Sequence, residues 1–278
     1  MALISEQGWK LYISGLKSKK KATKEEVKEA LVDAIVTRLP KKKKFGIMFS
    51  GGVDSSLIAL IAKQNNANFI CYAVGLQGAA DLEAAKLAAK LMKIPLKCKT
   101  YTLKEAEKII KKVTKIVGPD TMKVGVGSVV YAAANLAKKD KITHFLGGLG
   151  SEEIFAGYER HLSASDINRE CWKGLKDMWK RDLTRDTAIA EKLKIKLGTP
   201  FLDHKLIRTA MKIDGKEKIN KKFKKIILRK ISEELGMPKE VAWRKKQAAQ
   251  YGSKFDRAIY RLAHRNKFKY KKDYLESL

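Results

Sequence analysis

The sequence predicts an α/β protein: a doubly wound parallel sheet followed by a mostly helical C-terminal half. Three observations carry this. Between residues 45 and 146, short β-rich apolar runs alternate with amphipathic stretches of helical period, the pattern of parallel strands joined by crossover helices. At 45–63 an apolar run (Phe45, Ile47, Met48, Phe49) breaks at Ser50-Gly51-Gly52 and continues as a helical stretch from about Ser55 to Lys63. From about Leu162 onward the strands stop.

Taken in order, residues 1–21 show no clear period and end in lysines, so an irregular basic arm is expected there. The α/β core is expected over 22–160. Thr23 and Glu26 form a capping box that opens a helix to about Leu39, with Val27, Leu31, Ala34 and Ile35 on its apolar face. Phe69–Leu76 reads as a second strand, and Asp81 as the cap of a helix that carries Leu82, Ala85, Ala89 and Met92 on one side. Leu96–Tyr101 is a strand, Leu103–Ile116 a helix, Ser128–Ala137 a small-residue helix lying close to the sheet, and Ile142–Leu146 a further strand. Residues 161–265 are expected to be helical: Asp166–Lys180, Thr184–Leu193, His204–Met211, Phe223–Leu235 and Lys254–Ala263, with Gly198–Asp203 as an extended joint. The tail, 266–278, is basic and interleaved with Phe268, Tyr270 and Tyr274. Such a tail either stacks on bases or is a frayed, solvated end.

Composition narrows the classes. A chain of 278 residues with 45% apolar content can bury a sizeable core. No apolar run approaches the roughly 18 residues of a membrane-spanning helix, and the N-terminus lacks the charged and apolar regions of a secretory signal, so no membrane partner is expected. Cys71, Cys98 and Cys171 form no metal or disulfide pattern, which makes a reducing, cytoplasmic setting the default. Sixty basic residues stand against 30 acidic ones, a net charge of +30. Lysines cluster at 17–21, 41–44, 221–225 and 267–272. The functional reading is contact with RNA or tRNA through this basic surface. The competing reading is a lysine-heavy surface rich in ion pairs.

The strand–glycine–helix stretch is the most informative. A helix N-terminus and free backbone N–H groups at a glycine turn make an anion cradle. Ser50, Ser55 and Ser56 add hydroxyl donors. Asp54 is out of place beside a phosphate unless it holds a cation that bridges to it. The spacing is not that of a Gly-x-x-x-x-Gly-Lys-Ser/Thr loop. Ser50-Gly-Gly-Val-Asp-Ser55 resembles instead the PP-loop of ATP pyrophosphatases, which cut ATP between the α- and β-phosphates. The bland alternative is a tight strand-to-helix turn.

Further segments resemble the synthetase domain of asparagine synthetases: Ala73–Leu82, Gly147-Gly-Leu-Gly-Ser-Glu-Glu-Ile-Phe-Ala-Gly-Tyr158, Pro200-Phe-Leu-Asp203, Leu228-Arg229 and Trp243-Arg-Lys-Lys246. Their order and spacing match from about residue 25 to 260, closest to the stand-alone branch of the family. The resemblance implies ATP and Mg²⁺ as cofactors and a two-step amide synthesis. A carboxylate acceptor, aspartate in the family, is adenylated with release of pyrophosphate, and ammonia then displaces AMP. It implies that Ser50, Gly51, Gly52 and Ser55 hold the pyrophosphate and that Asp54 and Glu152 hold the metal. Met48, Val74, Gly147 and Gly148 would line the adenosine pocket, and Lys246 would stabilise charge at the α-phosphate. Glu152 stands where the family usually has Asp.

Three positions depart from the family pattern and bear on the acceptor: Leu149 replaces a glutamate, Gly198 replaces an arginine before Pro200, and Gly125 replaces an arginine with Lys123 nearby. Family glutaminase domains begin with a cysteine after Met1. Here Ala2 follows, so free ammonia or a separate glutaminase is expected as the nitrogen source. Two other classes compete with the ligase: a PP-loop enzyme that adenylates a tRNA base, and a non-catalytic ATP-binding interaction protein. Pyrophosphate release that depends on amino acid, on tRNA or on neither separates the three.

Overall fold

The computed structural model describes residues 3–17 and 21–278. Residues 18–20, including Lys19 and Lys20 of the first basic cluster, lie outside the described residues. Five parallel strands form one sheet in the order β3-β2-β1-β4-β5. They are β1 Phe45–Met48, β2 Phe69–Leu76, β3 Leu96–Tyr101, β4 His144–Leu146 and β5 Lys196–Gly198. From β1 the chain winds outward through β2 to β3, then crosses back to β4 on the other side. The strand order therefore reverses between β1 and β4, and the crevice beyond their carboxyl ends is where such sheets take ligands.

The period-2 alternation of the strands divides the core in two. Phe45, Ile47, Cys71 and Ala73 face one cluster, and Tyr72, Val74, Leu76 and Phe145 face the other. Each fully buried side chain of this size contributes about 1.5–3 kcal/mol. β1 and β4 approach closely because Gly46, paired with Phe145, has no side chain: a Cβ there would lie 2.5 Å from the Phe145 ring.

The helices follow the predicted order with several shifts. The first, α1 (Glu6–Gly15), replaces the irregular arm expected over 1–21. Ser5 caps it, Trp9 and Ile13 are buried one turn apart, and Trp9 Nε1 donates to Leu175 O at 2.7 Å. Two apolar residues on one short face were too few to register as a period. The capping box of α2 (Lys24–Val36) is present as predicted. Helices α3 (Val53–Gln64) and α4 (Ala80–Met92) flank the glycine turn. Asp81 does not cap α4: Ala79 holds that position, and the buried Asp81 carboxylate faces Arg244 at 3.4 Å. α5 (Leu103–Val117) and α6 (Thr121–Lys139) cover the second face. α6 starts well before Ser128 because Asp120 accepts from Lys123 N.

Beyond β4 come the single-turn α7 (Ser151–Ile154), then α8 (Ile167–Met178) and α9 (Thr184–Leu193). The strands do not stop at Leu162. The chain leaves α9 through Lys194 at φ 54°, and β5 pairs in parallel with β4, His144 to Lys196 and Leu146 to Gly198. A three-residue edge strand is too short for its alternation to be read from sequence. The remaining helices are α10 (His204–Ala210), α11 (Gly215–Lys218), α12 (Ile226–Glu234), α13 (Lys239–Ala242), α14 (Ala249–Gly252), α15 (Phe255–Arg265) and α16 (Lys271–Glu276). α12 begins three residues later than expected, because Lys225 is left-handed at φ 58°. The tail is not frayed, and of its three aromatic residues Tyr270 stays exposed. Tyr274 and Leu275 are buried, and Tyr274 packs against Phe268 at 5.9 Å between ring centres.

Candidate active site

The turn between β1 and α3 is held by its own serine and by a distant arginine. Ser50 N donates to Ser55 Oγ at 3.2 Å, and Ser55 Oγ donates to Gly52 O at 3.2 Å. Arg244 Nη2 donates to Ser50 O at 3.0 Å and Arg244 Nε to Gly51 O at 3.1 Å. With these carbonyls drawn toward the guanidinium, the turn and the first turn of α3 present N–H groups. Gly52 is the N-cap and no side chain caps the helix, which leaves backbone N–H groups of the kind an anion cradle uses. Gly51 is left-handed at φ 63°, and a Cβ on it would lie 2.5 Å from Ala84 O of α4. Ser56 departs from expectation. Its side chain is fully buried, and its hydroxyl makes no hydrogen bond to the turn.

Asp54, on the first turn of α3, is 8% exposed and accepts three hydrogen bonds from two side chains. Ser151 Oγ donates to its Oδ1 at 2.6 Å. Lys225 Nζ donates to Oδ1 at 2.9 Å and to Oδ2 at 2.8 Å. The same ammonium is 2.8 Å from Glu152 Oε1. Asp54 and Glu152, almost 100 residues apart in sequence, therefore converge on one cation. Burial alone would raise the Asp54 pKa, but the charges of Lys225 and Lys246 and the hydrogen bonds outweigh it and hold the carboxyl below its usual range. Burial likewise works against the charged form of Lys225, yet Asp54 and Glu152 keep its pKa above the ordinary lysine value. The convergence needs two glycines. A Cβ on Gly148 would lie 2.9 Å from Asp54 Cβ, and one on Gly157 would strike the Glu152 carboxylate and lie 2.5 Å from Lys225 Cε.

Three oxygens aimed at one positive centre make a hard donor set, which suits a divalent cation. Among the described residues no third acidic, His or Cys side chain joins them. Mg²⁺ is commonly held by one or two carboxylates together with substrate phosphates and water, so the residues present fit it.

The other predicted residues collect around this centre. Lys246 lies across the glycine turn, its Cδ 2.9 Å from the position of a Gly52 Cβ. Its charge also reaches Asp81, whose pKa is nonetheless raised because burial dominates. Met48 ends β1 and touches Gly147, with Met48 Cε 3.2 Å from a Cβ built there. Val74, on β2, lies in the same apolar cluster as Met48. Leu149 and Gly198, the departures from the family pattern, line one narrow cleft with Met48, Gly147, Thr199 and Asp186, with about 20 Å³ of free volume. Gly125 is elsewhere: a Cβ on it would lie 3.3 Å from Gln250 Cβ, so α14 sits where a side chain would project.

Sequence reasoning gave no role to Lys225, Ser151, Arg229 or Arg244. Lys225 was hidden in the basic cluster at 221–225, read as polyanion contact. Arg229 locks that segment: Nε donates to Lys224 O at 2.7 Å and Nη1 to Ala242 O at 2.5 Å and Arg244 O at 3.1 Å.

A parallel sheet with a Ser-Gly-Gly-x-Asp-Ser cradle at its switch point, facing paired carboxylates, defines a PP-loop ATP-binding protein. The asparagine synthase family model matches residues 26–169 and 162–272. The chain belongs to the asparagine synthase family, whose members are ATP-dependent ligases. A putative glutamine-hydrolysing asparagine synthetase of Methanocaldococcus jannaschii is 31% identical over 288 residues, covering 90% of this chain and 53% of the relative. Asparagine synthetase B of Escherichia coli is 29% identical over 244 residues, covering 81% of this chain and 44% of the relative. The chain thus spans about half the length of the curated relatives it matches. Among solved structures, the NMN synthetase of Francisella tularensis aligns over 92% of this chain and 93% of its own, with 11% identity and a TM-score of 0.44.

Proposed function

We propose that this chain adenylates a carboxylate acceptor, aspartate, at the expense of ATP and converts the adenylate to an amide with ammonia. The reading is carried by the convergence of the Asp54 and Glu152 carboxylates on the Lys225 ammonium beside the uncapped N-terminus of α3 at the Ser50–Gly52 turn. In the first step an acceptor carboxylate oxygen attacks the α-phosphorus, the bond to the bridging oxygen of the β-phosphate breaks, and pyrophosphate leaves. In the second, ammonia attacks the acyl carbon and AMP leaves with the carboxylate oxygen.

The Ser50, Gly51, Gly52 and Ser55 turn binds the departing phosphates. Mg²⁺ on Asp54 and Glu152 would supply neutralising charge for the pyrophosphate. Lys246, beside Gly52, offers its ammonium to the charge that grows at the α-phosphate. Met48, Val74, Gly147 and Gly148 form the adenosine side. The cleft lined by Leu149 and Gly198, which shares Met48 and Gly147 with that side, marks where the acceptor enters; its charged lining residue, Asp186, is paired with Arg185 Nε at 2.7 Å.

The test is release of pyrophosphate and AMP from ATP with Mg²⁺, across amino acids and total tRNA, with and without ammonium. Release that needs aspartate and yields asparagine with ammonium supports the proposal. Release of ADP, or pyrophosphate only with tRNA, refutes it.

A further inference from the structure

Lys225 occupies the place where a cation bridging Asp54 and Glu152 would sit, and it is built to stay there. Its side chain is 6% exposed, and its Nζ lies 2.8–2.9 Å from three carboxylate oxygens of these two residues. The backbone around it is fixed: Lys225 is left-handed, its carbonyl accepts from Arg229 N at 3.0 Å, and the Arg229 guanidinium clamps Lys224 O. A non-glycine residue in this conformation stores strain of order 1 kcal/mol, which the surroundings must offset.

Divalent cations bind carboxylate oxygens at roughly 2.0–2.6 Å. An ion that bridged both carboxylates at such distances would overlap the ammonium, so the two cations exclude each other from the shared position. The charges agree. Two carboxylates and one ammonium sum to −1. A divalent ion added with the ammonium still buried gives +1, which is unfavourable in a buried site. A nucleotide triphosphate supplies the negative charge that lets both cations remain, with the ammonium swung to a phosphate oxygen.

We propose that Lys225 is a built-in counter-ion of the metal site: it suppresses metal binding when nucleotide is absent and makes metal and nucleotide bind synergistically. This rests on the proposed role of Asp54 and Glu152 as metal ligands, and it makes Lys225 a positioning residue for that pair.

The experiment is titration of the whole chain with Mn²⁺, followed by electron paramagnetic resonance of the free ion, with and without a non-hydrolysable ATP analogue. Wild-type protein should bind Mn²⁺ at least ten-fold more tightly when the analogue is present. Lys225→Met should bind Mn²⁺ alone at least ten-fold more tightly than wild type, gain thermal stability on adding Mn²⁺, and lose most of the synergy. Lys225→Arg, which keeps the charge, should bind Mn²⁺ alone as weakly as wild type. Equal Mn²⁺ affinity in wild type and Lys225→Met without nucleotide overturns the inference while leaving the metal site standing. Absence of Mn²⁺ binding in every variant, even with the analogue, removes the metal site itself. If Lys225→Met does not fold, the wild-type titration decides: no change in affinity on adding the analogue refutes the proposal.

Discussion

Replacing Asp54 with Asn leaves shape nearly unchanged and removes one of the two negative charges that hold Lys225 in the interior. Removing one partner of a buried ion pair typically destabilises by about 3–5 kcal/mol, because the other charge is left uncompensated. Here Glu152 still pairs with Lys225 at 2.8 Å and is itself 36% exposed, so the loss belongs at the low end, about 3 kcal/mol. For a chain of this size that is a fall in Tm of roughly 6–12 °C. The pH dependence follows from the lowered Asp54 pKa. Its stabilisation is fully present above the unfolded carboxylate value of 3.8 and fades as pH falls through the lower folded value. Wild type and Asp54→Asn should therefore differ by a constant amount from pH 5 to 8 and converge in stronger acid. Urea denaturation at several pH values measures this. A difference below about 0.5 kcal/mol at pH 7, the range of ordinary surface substitutions, would mean that the Asp54–Lys225 pair does not hold the site together.

Gly157→Ala should lower nucleotide binding more than ten-fold and destabilise by about 1–3 kcal/mol, because its methyl group enters the space of the Glu152 carboxylate and Lys225 Cε; calorimetry with an ATP analogue and urea melts check both effects. Trp9→Ala should cost about 3 kcal/mol by removing a buried indole and its bond to Leu175 O, and should expose α1 to limited proteolysis; an unchanged urea midpoint would return residues 5–15 to an undocked arm. Lys218 is fully buried, its ammonium hydrogen-bonds Met211 Sδ at 3.6 Å, and burial pushes its pKa down to about 8. A lysine with a depressed folded pKa contributes stability that is present above its unfolded value of 10.5 and is lost as pH falls through 8. Lys218→Met should thus be more stable than wild type by about 1–3 kcal/mol at pH 7, with the gap closing between pH 8 and 10.5.

Much of this molecule can be read from its sequence where local chemistry decides. The Thr23–Glu26 capping box, the strands at 45–48, 69–76 and 96–101, and the glycine turn all depend on neighbours within a few residues. The pairing of Asp54 with Glu152 was reachable only because family segments name the two together; spacing alone would not bring residues so far apart to one point. Lys225 was invisible because nothing local distinguishes one buried lysine from the three more exposed ones beside it. Its selection depends on Gly157, Arg229 and the left-handed turn, all long-range. β5 and the docked α1 and α16 were missed for a related reason. Short elements gain their order from tertiary contacts rather than from propensity, and three or six residues cannot carry a period.

The guanidinium of Arg244 sets the direction in which the peptide planes of Ser50 and Gly51 face, from a position nearly 200 residues downstream. A nascent chain that has emerged only as far as β5 owns the strand, the turn and α3 with the Ser55 bonds, yet lacks the guanidinium that draws the Ser50 and Gly51 carbonyls aside. Any affinity of this turn for phosphate would therefore be a late acquisition during synthesis, gained when the final quarter of the polypeptide swings back over the opening of the sheet.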